Sequence, residues 1–226
     1  MFLNTARVID DILNDLKYSK PKRVLITGFG PFGEFKTNPS WQAVEAMDTG
    51  NINTGHEIIL YKEKVGVRYV DVDLNVPRLL DIRKPHLTIH VGVSKQVTTL
   101  RLEVQANKHG YKKYDSVFRK AARAANPSPG PDSIATSFDV AAIQNEFNEY
   151  RSEDDLPLEI SKEAGLYLCE YIYYTSLSHA RSPTLFVHVP PHKEPEKLAR
   201  GLERIVELCL KQLHLAELRL VSSKQL

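Results

Sequence analysis

The 226-residue sequence predicts an α/β fold, a three-layer α/β/α sandwich around a mostly parallel central sheet. Three observations carry that prediction. Short apolar runs alternate with segments of helical period from residue 23 onward. One run, LTIHVGV at 87–93, is apolar almost throughout, as a strand covered on both faces must be. No internal repeat, low-complexity tract or linker interrupts the alternation, so residues 1–226 read as one domain.

Ahead of the first strand, Val8, Ile9, Ile12, Leu13 and Leu16 recur at helical spacing, predicting an amphipathic helix over 3–18 within an N-terminal extension, 1–20. RVLIT at 23–27 is the first strand and runs into the glycine-rich turn GFGPFG at 28–33. A helix follows, capped by Asn38 or Ser40, with Trp41, Val44 and Met47 on one face. Residues 57–64 read as a strand, 67–84 as a helix that Pro77 should bend or split, and 100–106 as a further, alternating strand. Segment 108–132 carries Lys108, Lys112, Lys113, Arg119, Lys120 and Arg123 before the turn NPSPGP, which predicts a long, mobile loop. The simpler reading is a solvated basic loop; the functional one is a lid over a site. Beyond it, 138–150 read as helix, 158–160 as a short strand, 164–179 as a helix capped by Ser161, 184–189 as a strand and 196–213 as the closing helix.

Composition bounds the function. Lys and Arg total 30 against 28 Asp and Glu, and the charges are interspersed without a basic, aromatic-laced stripe, so no nucleic-acid partner is expected. No stretch approaches the ~18 continuous apolar residues of a membrane span. Asp10, Asp11 and Asp15 break any signal-peptide run, so a cytoplasmic location without membrane attachment is expected. Cys169 and Cys209 share no close motif, which excludes a zinc ribbon or a CxxC pair; two unpaired thiols suit a reducing compartment. A chain of this length needs no disulfide or metal staple.

GFGPFG formally matches the dinucleotide fingerprint, but Pro31 and two phenylalanines occupy the loop and the helix starts near residue 39. The ribose-binding acid is expected ~20 residues on, whereas the next strand ends only later, in Lys62-Glu63-Lys64. A better reading lets the glycines turn the backbone tightly while Phe29 and Phe32 wall a small apolar pocket at the carboxyl edge of the sheet. Metal catalysis has little support. Pro190 and Pro191 separate His188 from His192, and no acid or thiol cluster accompanies His86 and His90. Serine catalysis has less, because Gly92-Val93-Ser94-Lys95 lacks the nucleophile elbow.

Nucleophilic cysteine chemistry fits better. Cys169 falls early in a predicted helix, where the dipole favours the reactive thiolate. Cys209, in the amphipathic run Ile205, Leu208, Leu210 and Leu213, reads as an inert core thiol. His188 ends an apolar strand at the carboxyl edge of the sheet, where α/β proteins place their sites. Glu103, in an otherwise apolar strand, either faces solvent or orients a base. Taken singly, each also has a purely structural reading.

Together these segments resemble pyroglutamyl peptidase type I, also called pyrrolidone-carboxylate peptidase, a family of cysteine peptidases. The resemblance runs from about Lys22 to Leu213. It rests on GFGPFG followed by Asn38-Pro39-Ser40-Trp41, on SKEAGLYLC at 161–169 and on FVHVPP at 186–191. HVGVS at 90–94 and YYTSL at 173–177 look like the animal-type branch. The resemblance implies a phosphorylase/hydrolase-like α/β fold and no cofactor. It implies removal of pyroglutamate from the N-terminus of peptides, with Cys169 as nucleophile, His188 as general base and acid, and Glu103 orienting the histidine. It also sets Phe29 and Phe32 against the lactam ring and Asn38 nearby, and puts Val93 where bacterial members often carry a glutamine near the lactam.

Three positions depart from the family pattern. Val104 and Lys108 stand where a basic residue and an asparagine are usual, with Asn107 one place early, and Glu170 follows the cysteine in place of Asn or Asp. Glu170 is expected to set a carboxylate beside the thiolate and raise its pKa. These departures carry the alternative, a weakly active or inactive homologue that binds pyroglutamyl-like ligands. A nucleoside-phosphorylase-like activity on a related scaffold is a distant third. Oligomeric state is left open.

Overall fold

A computed structural model describes residues 20–54 and 57–223; the helix expected over 3–18 lies outside them. The described residues form eight strands: β1 (Lys22–Phe29), β2 (Ile58–Val65), β3 (Leu87–Val93), β4 (Leu100–Glu103), β5 (Gln105–Asn107), β6 (Ser133–Ala135), β7 (Leu158–Ser161) and β8 (Thr184–Val189). Six build the central sheet in the order β2-β1-β3-β8-β4-β7, in which β4 and β8 alone run antiparallel. β5 and β6 pair as a separate antiparallel ribbon.

Among the described residues five helices cover the sheet: α1 (Pro39–Ala46), α2 (Tyr69–Arg83), α3 (Val140–Glu149), α4 (Leu168–His179) and α5 (Pro195–Ser223). Side chains alternate across each strand, and the alternation sorts them into two cores. Val24, Ile26, Ile89, Val91, Leu102, Val187 and Val189 pack with α1, α3 and α5. Leu25 and Phe186 face the other way and pack with α2 and α4. His90, Gly92, Glu103 and His188 share the parity of this second face, so the α4 layer covers every polar strand residue that matters below. β3 is buried along nearly its whole length, as its unbroken apolar run predicts.

Local chemistry explains most boundaries. The Asn38 side chain caps α1 by accepting from the Ser40 N–H at 3.0 Å, with Pro39 as the first helical residue. Asp139 caps α3, and Lys84, in the left-handed region, ends α2. Pro77 does not split α2, which runs through it as one element. No helix among the described residues is long and apolar enough to cross a membrane.

Three expectations are corrected. The strand read over 100–106 is two strands in two sheets. After Glu103 the chain leaves the central sheet, with the Val104 N–H still donating to Ser161 and its carbonyl already accepting from Thr136 of the ribbon side. The helix read from 164 begins only at Leu168, because Gly165 and Leu166 take positive φ (98° and 48°) and form a turn; Ser161 belongs to β7 and caps no helix. Segment 108–132 is not a free loop. Tyr111 and Asn126 are buried, and Asn126 Nδ2 donates to the Tyr171 carbonyl (3.0 Å) and Thr175 Oγ1 (2.8 Å), which anchors the segment on α4.

Candidate active site

The site forms where β1, β3 and β8 end, beside the antiparallel β4, and where α4 begins. β3 and β8 run parallel with Gly92 beside His188, and β4 runs antiparallel on the far side of β8 with Glu103 opposite Phe186. That register puts Glu103 on the diagonal from His188, within reach of a long side chain. His188 Nδ1 and Glu103 Oε1 lie 2.8 Å apart, both buried. The Glu103 carboxylate accepts from the ring, which fixes the Nδ1–H tautomer and leaves Nε2 for another partner. Glu103 Oε2 has no hydrogen-bond partner among the described residues, so the imidazole is the polar group that compensates this buried carboxylate. The strand end is held in turn by Tyr173 of α4, whose hydroxyl donates to the Glu103 carbonyl at 2.9 Å.

Cys169 is the second residue of α4 and is half-buried, whereas Cys209 is enclosed in the opposite core. Tyr167 is the N-cap residue and supplies no side-chain cap. The first-turn N–H groups of an α-helix have no intrahelical acceptor, so this uncapped end presents donors and positive potential beside the sulfur. Gly92 makes room for it: a Cβ there would meet Cys169 Sγ and Phe186 Cζ, each at 2.7 Å. Burial alone pulls the His188 imidazole down. The Cys169 thiolate and its hydrogen bond, with the Glu103 hydrogen bond and charge, outweigh it and push the group up to about 9. The arrangement therefore favours a protonated imidazole beside the sulfur at neutral pH.

A small cavity of about 40 Å³ opens beside the sulfur. Phe29, Phe32, Asn38, Val67, Val93, Tyr167, Leu168 and Cys169 line it. All four pocket residues expected from sequence (Phe29, Phe32, Asn38 and Val93) thus meet the cysteine in one place. Asn38 is also structural: Nδ2 donates to the Gly30 carbonyl at 2.9 Å while Oδ1 accepts from Ser40. Two larger depressions, about 720 and 860 Å³, lie around Tyr69–Pro127 and around Glu34–Lys193, and neither includes Cys169 or His188. Cys169 in its lining, and not its size, makes the small cavity the candidate site.

His90 is close by but differently employed. It is fully buried between Thr27 Oγ1 and Ser176 Oγ, each at 2.7 Å, and burial lowers it to about 3, so it stays neutral and ties β1 and β3 to α4. Among the described residues no group of three or more His, Cys, Asp or Glu side chains gathers to hold a metal ion. Sequence reasoning missed Gly92, whose need for a bare backbone appears only when α4 is docked on the sheet. It also did not foresee the partners of Glu170, whose carboxylate uses both oxygens on Asn107 and Leu166.

Known proteins resemble this chain in sequence and in fold. Residues 22–213 match the family model for pyroglutamyl peptidase. The chain is 37% identical over 199 residues to pyroglutamyl-peptidase 1 of Rattus norvegicus, covering 87% of this chain and 93% of the rat protein. It is 36% identical, with the same coverage, to pyroglutamyl-peptidase 1 of Homo sapiens. Among solved structures, a mutant pyrrolidone carboxyl peptidase from Pyrococcus furiosus superposes with a TM-score of 0.73 at 24% identity, over 84% of this chain and 99% of that one. The enzyme from Thermococcus litoralis gives 0.74 at 23% identity, over 85% and 95%. These two share the fold.

Proposed function

The chain belongs to the pyroglutamyl peptidase family, and from that premise we propose that it is a cysteine exopeptidase that removes N-terminal pyroglutamate from peptides through a thioester on Cys169. The observation that carries the assignment of roles is the buried 2.8 Å Glu103–His188 hydrogen bond, directed at a cysteine in the first turn of α4. His188 holds the thiol proton, and the Cys169 thiolate attacks the pyroglutamyl carbonyl. N–H groups at the start of α4 stabilise the oxyanion, a contribution of about 2.7–4 kcal/mol for one donor in a well-studied protease. His188 then protonates the leaving amine and activates the water that hydrolyses the thioester.

The lining of the cavity suits the specificity. Pyroglutamate is small, flat and uncharged, so the walls of Phe29, Phe32 and Val93 suit its ring. A free N-terminal ammonium would lose its hydration there without a counter-charge. The binding-only alternative is not favoured. Val104 acts through its backbone, Lys108 Nζ donates to the Gly130 carbonyl at 3.1 Å, and Glu170 is fully hydrogen-bonded, so all three departures serve the scaffold. A reducing, cytoplasmic setting belongs to the same proposal, since the nucleophile must remain a free thiol.

The test is release of fluorophore from a pyroglutamyl amide. Wild type and Cys209→Ala should turn over, and Cys169→Ala should lose activity by several orders of magnitude. Activity that survives Cys169→Ala, or a silent wild type beside an active control peptidase, contradicts the proposal.

A further inference from the structure

Glu170 is 1% exposed, and no cation pairs with it among the described residues. A buried carboxylate without a counter-ion survives on hydrogen bonds. This one accepts three: from the Asn107 N–H at 2.9 Å, from Asn107 Nδ2 at 2.7 Å and from the Leu166 N–H at 2.7 Å. Hydrogen bonds to an ionised acceptor are about twice as strong as neutral ones. The place of the donors is the informative part. Asn107 lies in β5, four residues past Glu103, where the chain has just left the central sheet. Leu166 lies three residues before Cys169 in the turn that launches α4. It is a non-glycine residue at φ 48°, a conformation that persists only when the surroundings enforce it. Tyr111 reinforces the far end by donating its hydroxyl to the Asn107 carbonyl.

We propose that Glu170 is a positioning residue that latches the nucleophile's turn to the segment that follows the acid of the catalytic set. One oxygen holds the 165–166 turn, which aims the first N–H groups of α4. The other holds the segment that follows Glu103. The Cys169 sulfur and the oxyanion donors are thereby kept in register with the Glu103–His188 pair. The inference rests on the peptidase reading above. Its charge is not the agent: the carboxylate acts through its three acceptor contacts, so geometry, and not the acidity of the thiol, should change when it is altered.

The experiment compares wild type, Glu170→Gln and Asn107→Ala on a fluorogenic pyroglutamyl amide, with rates expressed per titratable Cys169 thiol, and follows iodoacetamide alkylation of Cys169 against pH. The glutamine turns an amide donor toward one of the N–H groups, while Asn107→Ala removes only the Nδ2 contact. Glu170→Gln should lower kcat by roughly 10–100-fold, the scale of a displacement near 1 Å. Asn107→Ala should lower it less, and both should keep the wild-type pH midpoint of alkylation. Unchanged kcat in Glu170→Gln overturns the inference, as does a faster variant whose alkylation midpoint falls, which would make Glu170 a suppressing charge. If Glu170→Gln does not fold, Asn107→Ala decides: a reduced kcat at an unmoved midpoint supports the latch, and a wild-type kcat overturns it. A silent wild type removes the peptidase reading itself, whereas an active wild type with unaffected variants removes the latch alone.

Discussion

At His188 burial and charge oppose each other. Enclosure of the ring disfavours the imidazolium, and the Cys169 thiolate and Glu103 carboxylate more than restore it, to about 9. The charged form is thus present through neutral pH and is lost as pH rises through that value. A pH–rate profile should show kcat/KM falling on an alkaline limb near 9. Glu103→Gln removes a group that raises the imidazole, so the limb should move to lower pH. The rate should also drop, by up to roughly 10⁴-fold if Glu103 acts like the aspartate of a serine-protease triad. A limb that stays in place would mean that Glu103 does not govern the proton on His188. The sequence singled out a cysteine early in a helix, a histidine at a strand end and an acid in an apolar strand, but each alone also had a structural reading, and their roles came from the family resemblance. Glu170 was not legible, because its partners lie 4 residues before it and 63 residues away, and an acid in the first turn of a helix reads as an ordinary favourable charge.

Elements position these residues through close approach. Gly92 lets α4 settle onto β3 so that Cys169 Sγ lies only 2.7 Å from where a Cβ would be. Gly92→Ala should therefore push the sulfur or the Phe186 ring aside and lower kcat by about 100-fold, with an overpacking cost of roughly 1–3 kcal/mol read by urea unfolding. Wild-type activity in that variant would contradict the tight contact. Strand and helix identities were readable from period and composition, as for β3 and for α1 with its Asn38 cap. Two boundaries at the site were not. Alternation continued through Val104, so nothing in the pattern marked the change of sheet after Glu103. The apolar pattern continued upstream of Leu168, so the left-handed turn at 165–166 was hidden inside a helical period. Both are set by tertiary hydrogen bonds that a local pattern does not encode.

Across the whole molecule the sheet separates two thiols. Cys169 faces the α2–α4 layer at the open carboxyl edge, and Cys209 lies in the α1–α3–α5 core, where burial raises its pKa and keeps it protonated. The alternation of strands and helices made this layering readable, and it explains why one thiol can be a nucleophile while the other only fills space. Segment 108–132 was the part of the molecule least readable. Its charges and prolines look solvated, and the buried Tyr111 and Asn126 that fix it to α4 are single residues without a period. The proposed chemistry turns on a covalent step at the half-buried Cys169 thiol. Mixing the protein with a pyroglutamyl peptide, quenching in acid within the first turnover and mapping the digest by mass should find the pyroglutamyl group as a thioester on the peptide containing Cys169 and none on Cys209. Product formation with Cys169 unmodified in every quenched sample, or acylation of Cys209 instead, would contradict it.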